Sequence, residues 1–439
     1  MINDEIGRRR LLQLGGLALG SAAISGCGAP AGDPGGPIAF QGWDYEPQAV
    51  EDNLARFKEQ SGIEVAFTSI TGSQYVQKTV AEFTAGSEPD ALYVYDDSMA
   101  GWADAGYLQP IDGLPGVDEV YQAIFPGNAD AMTHDGKRYC LPYYTDCSAL
   151  LYNADLLDKA GLPGPPKTLE ELTDQAITLR ERGILKYSIG FAAQLSDSYW
   201  GWFWALLYGS GGTMFDDQLQ PIMDSTDPVP KELLSWLDDA VRVSKIIDPA
   251  SVQMGPTPVD EALSSGQYAF TFASRYGARA YNDPKKSKIA GKMKMALIPG
   301  LGGPGQGSVL TTRMYGLSAN TERRDDAIKL LTYLGGFDGD GKPYTAKFWF
   351  LNYGLGFAFE ELAKDPEVIA ELKRWGDPDV YAQLSATAKS RSVVVKPWYS
   401  EFETELQKGI QRILTAQDDP GSVVAALATS ARDLEKKYA

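Results

Sequence analysis

Histidine is almost missing from this chain: His134 is the only one in 439 residues. Its neighbours Asp135, Gly136 and Lys137 carry a turn signal, so His134 reads as a surface loop residue. A His-based zinc site and a Ser-His-Asp triad are thereby set aside, and no metal or cofactor is expected. Cysteine is nearly as scarce. Beyond Cys27 only Cys140 and Cys147 remain, which excludes a disulfide framework. No apolar run reaches the roughly 20 residues that span a bilayer. Positive charge is short too, with 40 Lys and Arg against 58 Asp and Glu, a net charge of −18. A surface this acidic argues against nucleic acid and anionic membrane surfaces as partners.

What is present begins at the N-terminus. Arg8, Arg9 and Arg10 form a basic region, and Leu11 to Ile24 follow as an apolar stretch loosened by Gly15, Gly16 and Gly20. This stretch is too short to cross a membrane and reads, with its flanks, as a cleavable export signal over residues 1–26. Gly7 to Gln13 resembles a twin-arginine signal in which Gly replaces the usual Ser or Thr. Ile24-Ser25-Gly26-Cys27 resembles the lipobox of bacterial lipoproteins, which implies cleavage before Cys27 and lipidation of its thiol. Residues 27–36 are then a Gly/Pro-rich tether with nothing apolar to pack. The mature chain would keep 37 basic and 56 acidic side chains, a charge of −19. It would be exported to the periplasm or cell surface and held at the membrane through Cys27. Its length, just over 400 residues, exceeds one ordinary core and points to two lobes.

Residues 38–95 alternate between strand and helix. Ile38–Phe40 is a strand, and Pro47 opens a helix with Val50, Leu54 and Phe57 on one face, stopped by Gly62. Strand 63–67 follows. A helix from about Ser73 would bury Val76, Val80 and Phe83 before the strand 91–95. This order implies a parallel, doubly wound sheet with right-handed crossovers. Ligands bind beyond the carboxyl ends of such strands. Those ends are Gly42-Trp43-Asp44-Tyr45-Glu46 and Asp96-Asp97-Ser98. Residues 136–153 read as one long extended segment, Gly190–Ala192 as a strand end, and Tyr199–Trp204 as a helix start. Tyr268–Phe272 is a strand leading to Arg275 and Tyr276, and the chain from about Asp325 is mostly helical.

Several segments, in order, resemble the bacterial extracellular solute-binding proteins of the maltose-binding type. They are Phe57–Val65, Pro89-Asp90 with Asp97, Gly101–Pro110, Leu141-Pro142, Leu150–Asn153 and Gly266–Phe270. The resemblance implies a two-lobed α/β fold of the periplasmic-binding-protein type II, each lobe a mostly parallel sheet flanked by helices. Lobe one is expected at 37–145 plus 313–350 and lobe two at 146–312 plus 351–439. The three crossings would fall near Tyr144–Ser148, Leu310–Met314 and Phe348–Tyr353. The implied function is the receptor of an ABC importer: a monomer that closes on a carbohydrate and delivers it to permease subunits with a cytoplasmic ATPase. Leu351–Gly356 lacks the Pro-containing pattern common near the third crossing, so the ligand contacts there stay unassigned.

The resemblance places Trp43, Asp44, Tyr45, Asp97, Asp146, Trp200, Trp204, Tyr276 and Trp398 at the cleft. Arg275 would hold either a ligand oxygen or a carboxylate between lobes. The chemistry suits a sugar, because carboxylates accept paired hydroxyls and flat aromatic rings cover the apolar ring faces. Simpler readings stand beside these. Asp44 could serve a helix N-terminus, Asp96 reads as a solvated turn, and Trp202 and Phe203 read as core. A polyol or polyamine ligand and an exported glycoside hydrolase with paired carboxylates are the alternative functions.

Overall fold

The computed structural model describes residues 36–196 and 200–438. The expected export signal, Cys27 and the tether up to Gly35 lie outside the described residues. Among the described residues, ten strands follow in chain order. They are β1 Ile38–Trp43, β2 Val65–Ile70, β3 Ala91–Tyr95, β4 Thr133–His134, β5 Lys137–Arg138, β6 Cys140–Asn153, β7 Phe270–Ser274, β8 Met293–Ala296, β9 Ser308–Leu317 and β10 Ala388–Lys389.

The first helix, Pro47–Ser61, starts on Pro47, whose missing N–H falls where a helix has no acceptor for it. It ends at Gly62 in the left-handed region (φ 73°), the conformation that only glycine adopts cheaply. Val50, Leu54 and Phe57 are its buried face. The second helix, Gly72–Ala85, is rotated from expectation. Its buried stripe is Tyr75, Thr79 and Phe83, while Val76 is 37% exposed. The Tyr75 hydroxyl decides this by donating to the Tyr93 carbonyl at 2.7 Å, and the i, i+4 spacing carries Thr79 and Phe83 inward with it.

Strands β2, β1 and β3 pair in parallel, as the alternating order requires. The expectation of a mostly parallel sheet fails beyond them. β9 runs antiparallel to both β3 and β6, and β6 runs antiparallel to β7 and β8. The reason is connectivity: the chain leaves the first sheet along β6 and returns to it along β9, so the two strands run in opposite directions. β6 exchanges partners along its length. Cys140 to Cys147 pair with Gly316 to Leu310 of β9, and Ser148 to Tyr152 pair with Ser274 to Phe270 of β7. Ile189 is joined to Ile247 and Phe270 only by single bridges, so no strand ends at 190–192.

Two apolar clusters flank these strands. One holds β1, β3, the first half of β6 and the aromatic rings of Trp349, Phe350 and Trp375. The other gathers Trp204, Leu206 and the helices Val229–Arg242, Tyr399–Leu414 and Pro420–Tyr438. After the Tyr344–Tyr353 helix the chain presses against β6: Thr145 donates its N–H to the Gly356 carbonyl at 3.2 Å. A Cβ at Gly356 would stand 2.0 Å from the Thr145 carbonyl oxygen, so only glycine allows this approach.

Cys140 and Cys147 are both buried and free on β6. Burial pushes their thiols up, that of Cys147 to about 12. Seven steps of an extended strand hold their Cα atoms roughly 23 Å apart, whereas a bridge requires about 4.4–6.8 Å. Neither thiol should react with a maleimide in the native protein, and both should react in urea without reductant. Absence of reaction in urea, with a mass two units low, would contradict this geometry.

Candidate functional site

Three cavities meet at one side chain. Tyr276, which follows β7, keeps 36% of its surface accessible and lines all three. The most enclosed has a volume of about 390 Å³ and lies where β6 exchanges partners. Tyr144, Asp146 and Ser148 reach it at every second position of β6, the spacing that puts strand side chains on one face. Phe191, Gln194, Trp200, Trp202, Asp260 and Arg313 also line it. A second cavity of about 520 Å³ shares Asp260, Ser274, Tyr276 and Tyr281 with the first. The third, about 560 Å³, runs between Tyr45 and Glu46 on one side and Arg279, Asn352, Tyr353 and Trp375 on the other.

Of the residues named from the sequence, Asp146, Trp200 and Tyr276 therefore come together, and Tyr45 joins Tyr276 in the outer cavity. Trp43, expected at the cleft, lines none of the three cavities. It is 8% exposed and stacks on Tyr95 with centroids 4.5 Å apart and planes 12° apart. Asp44 takes the simpler of its two readings, its carboxylate accepting the Gly72 N–H at 2.8 Å at the start of the second helix. Arg275 holds a carboxylate: its Nε donates to Asp146 at 2.6 Å. Its Nη1 donates to the Tyr381 carbonyl and the Ser385 hydroxyl, and its guanidinium lies 3.6 Å from the Tyr381 ring centroid. With both partners nearly inaccessible, this is a buried ion pair. Asp146 also accepts the N–H groups of Cys147 and Tyr276. Burial raises the Asp146 carboxyl while Arg275 pulls the other way.

Two expected contacts are core residues instead. Trp204 is fully buried and donates its indole N–H to Glu403, and Trp398 packs on Phe215 and Phe402. Trp202, expected in the core, faces the cavity. Helix geometry explains the exchange: the helix Gly201–Gly209 begins after Trp200, and positions 202 and 204 lie about 200° apart around its axis. Trp200 and Trp202 stack at 5.5 Å, and Trp202 stacks on Phe191 at 4.2 Å.

Asp96 also departs from its reading as a solvated turn. It is 4% exposed and pairs with Arg313 at 2.6 Å and Arg391 at 2.9 Å. Its neighbour Asp97 is half-buried, accepts the Ser98 hydroxyl, and lines none of the three cavities. Burial, then the Asp96 charge, raises the Asp97 carboxyl above the ordinary aspartate value of 3.8. An acid with a raised folded-state pKa binds more protons folded than unfolded, so stability falls as pH rises through that window. Asp97→Asn should therefore be more stable than the parent at pH 7, and the two should converge toward pH 4 in urea titrations. A parent that is the more stable at pH 7 would contradict this placement.

Tyr144, Gln194, Asp260 and Arg313 were not named as ligand contacts from the sequence, and Trp202 was read as core. Tyr144 had a signal, since it sits two residues before Asp146 on one extended segment. Asp260 and Gln194 had none, because they reach the cavity through the packing of distant segments. Burial raises the Asp260 carboxyl, and the Tyr281 hydroxyl donates to it. His134 lies elsewhere, in the β4–β5 hairpin, with its Nε2 2.7 Å from Asp104.

The cavity thus brings together stacked aromatic rings, the Asp146 carboxylate and hydroxyl and amide groups. The model of one family, the bacterial extracellular solute-binding proteins, matches residues 43–338. This chain belongs to that family. The solute-binding protein is 23% identical over 429 residues to a binding protein of Brucella abortus (strain 2308), covering 97% of this chain and 98% of that one. It is 26% identical over 255 residues to the mannitol-binding protein of Pseudomonas aeruginosa, covering 56% of each. Among solved structures, the GacH receptor of Streptomyces glaucescens GLA.O, determined unliganded and with acarbose, matches with a TM-score of 0.79 at 20% identity. That match covers 92% of this chain and 100% of that one. It establishes the two-lobed α/β fold. The family is one of extracellular binding proteins, so this is an exported protein. Among the described residues, no helix is long and apolar enough to cross a membrane.

Proposed function

We propose that this protein is the receptor of an ABC importer and binds a sugar or polyol in the cavity beside Tyr276. The accessible Tyr276 side chain carries the reading, because it lines the same cavity of about 390 Å³ as Trp200 and the polar groups of β6. That volume lies within the roughly 300–1,000 Å³ of small-molecule sites. The rings would cover the C–H faces of the ligand, and Asp260, Gln194 and Ser148 would take its hydroxyls. The mannitol and acarbose of the relatives' names fit such a cavity chemically.

The lobes are assigned to 37–145 plus 313–350 and 146–312 plus 351–439. The partner exchange of β6 at Cys147–Ser148 supports this division. Hinge bending there would close the lobes on the ligand and present them to the permease. Residues 1–26, read as a cleaved export signal, would direct export, and the lipidated Cys27 would keep a monomeric receptor at the membrane.

A thermal-shift panel of maltose, D-mannitol, ribitol, D-tagatose and spermidine tests this. A ligand at 100 times its Kd adds about 2.7 kcal/mol to apparent stability. The reading requires a shift with at least one sugar or polyol and no turnover of maltose. A shift with spermidine alone, or hydrolysis, overturns it.

A further inference from the structure

The helix Tyr399–Leu414 carries a polar column through the second apolar cluster. Glu403, Gln407 and Gln411 are spaced by four residues, so they lie along one face of the helix. Glu403 is 5% exposed and Gln407 1%. Buried groups of this kind exist to be bonded, and each holds backbone of the same cavity wall. Gln411 donates to the Ala193 carbonyl at 2.7 Å, and the Gln407 carbonyl oxygen accepts the Ser196 N–H at 3.1 Å. One Glu403 oxygen accepts the Trp200 N–H at 2.9 Å. The other accepts the Trp204 indole N–H at 3.0 Å and the Tyr399 hydroxyl at 2.8 Å.

We propose that Glu403 is a positioning residue, which sets the orientation of Trp200 in the ligand cavity from a helix that contributes nothing to the cavity itself. The claim rests on the sugar or polyol reading of that cavity. Trp200 precedes the helix Gly201–Gly209, and its N–H is a donor that the helix leaves without an internal acceptor. A carboxylate there satisfies the donor and complements the positive end of the helix dipole. The indole N–H of Trp200 donates to the Gln194 carbonyl at 3.3 Å, so backbone and ring are both tied down. Glu403 thus fixes the backbone from which the Trp200 ring projects, the Gln194 carbonyl holds the ring, and the Trp204 and Tyr399 bonds fix Glu403.

Two readouts test this in the full mature chain. The first needs no ligand: in Glu403→Ala, amide exchange at Trp200 should quicken about tenfold or more, the loss of one charge-assisted hydrogen bond, with the Pro47–Ser61 helix unaffected. Unchanged exchange at Trp200, or equal acceleration in both regions, overturns the proposal. The second is a double-mutant cycle with maltose and D-mannitol as probes. Glu403→Ala should weaken binding about tenfold, and by less than about twofold when Trp200→Ala is already present. Additive losses overturn the proposal. If neither probe nor any other panel sugar binds the parent, the sugar reading fails, while the exchange result still decides whether Glu403 holds Trp200. Should Glu403→Ala not fold, the isosteric Glu403→Gln carries both measurements, with the same direction of change expected.

Discussion

Asp146→Ala is expected to destabilise the fold by about 3–5 kcal/mol, the range for removing one partner of a buried ion pair. The substitution leaves the Arg275 guanidinium, 3% exposed at its side chain, without its carboxylate. The partners left to the guanidinium, the Tyr381 ring at 3.6 Å, the Tyr381 carbonyl and the Ser385 hydroxyl, carry no compensating negative charge. The N–H groups of Cys147 and Tyr276 lose an acceptor as well. From the sequence, Asp146 reads as a ligand acceptor, and its loss would register as weakened binding by an intact protein. The ion pair moves the expected loss to stability. Replacing both partners, as in Asp146→Ala with Arg275→Met, should recover a large part of it, since no unpaired buried charge then remains. Urea unfolding of the three variants decides the matter. An Asp146→Ala protein within about 1 kcal/mol of the parent would mean that the pair is not formed in solution.

Tyr276→Ala is expected to leave the fold nearly as stable and to weaken sugar or polyol binding by about 2 kcal/mol, roughly thirtyfold. Its ring is 36% accessible, so truncation removes little packing from the core. The same ring borders all three cavities, so any ligand filling them meets it. Tyr276→Phe should retain most of the affinity if stacking dominates, since the face is kept and only the hydroxyl lost. Calorimetry with the best ligand of the panel measures both. Unchanged affinity in Tyr276→Ala would move the ligand elsewhere in the protein.

The legibility of the site followed the range of the interactions. Tyr45 was placed beside a cavity because it follows a strand whose pattern is local, but the same pattern did not show that Trp43 packs on Tyr95 or that Asp44 serves the second helix. Asp146 and Tyr276 were found through the order of segments along the chain. Trp204 and Trp202 exchanged roles because the partner of the Trp204 indole, Glu403, lies some 200 residues away in the chain. Asp96 was misread for a similar reason. A carboxylate beside another in a short loop looks solvated until Arg313 and Arg391 arrive from distant parts of the chain.

Sequence by itself determined the α/β alternation of the first hundred residues, the capping of the first helix by Pro47 and Gly62, the free thiols and the family. These rest on dihedral preference, periodicity and composition, which act over a few residues or are sums over the whole chain. Tertiary structure alone decided the antiparallel course of β6 and β9, the pairing of Asp146 with Arg275, the Trp202 face of the cavity and the part of Glu403. Each depends on contacts between groups remote in sequence, where burial turns a polar side chain from a solvated group into one that must find a partner.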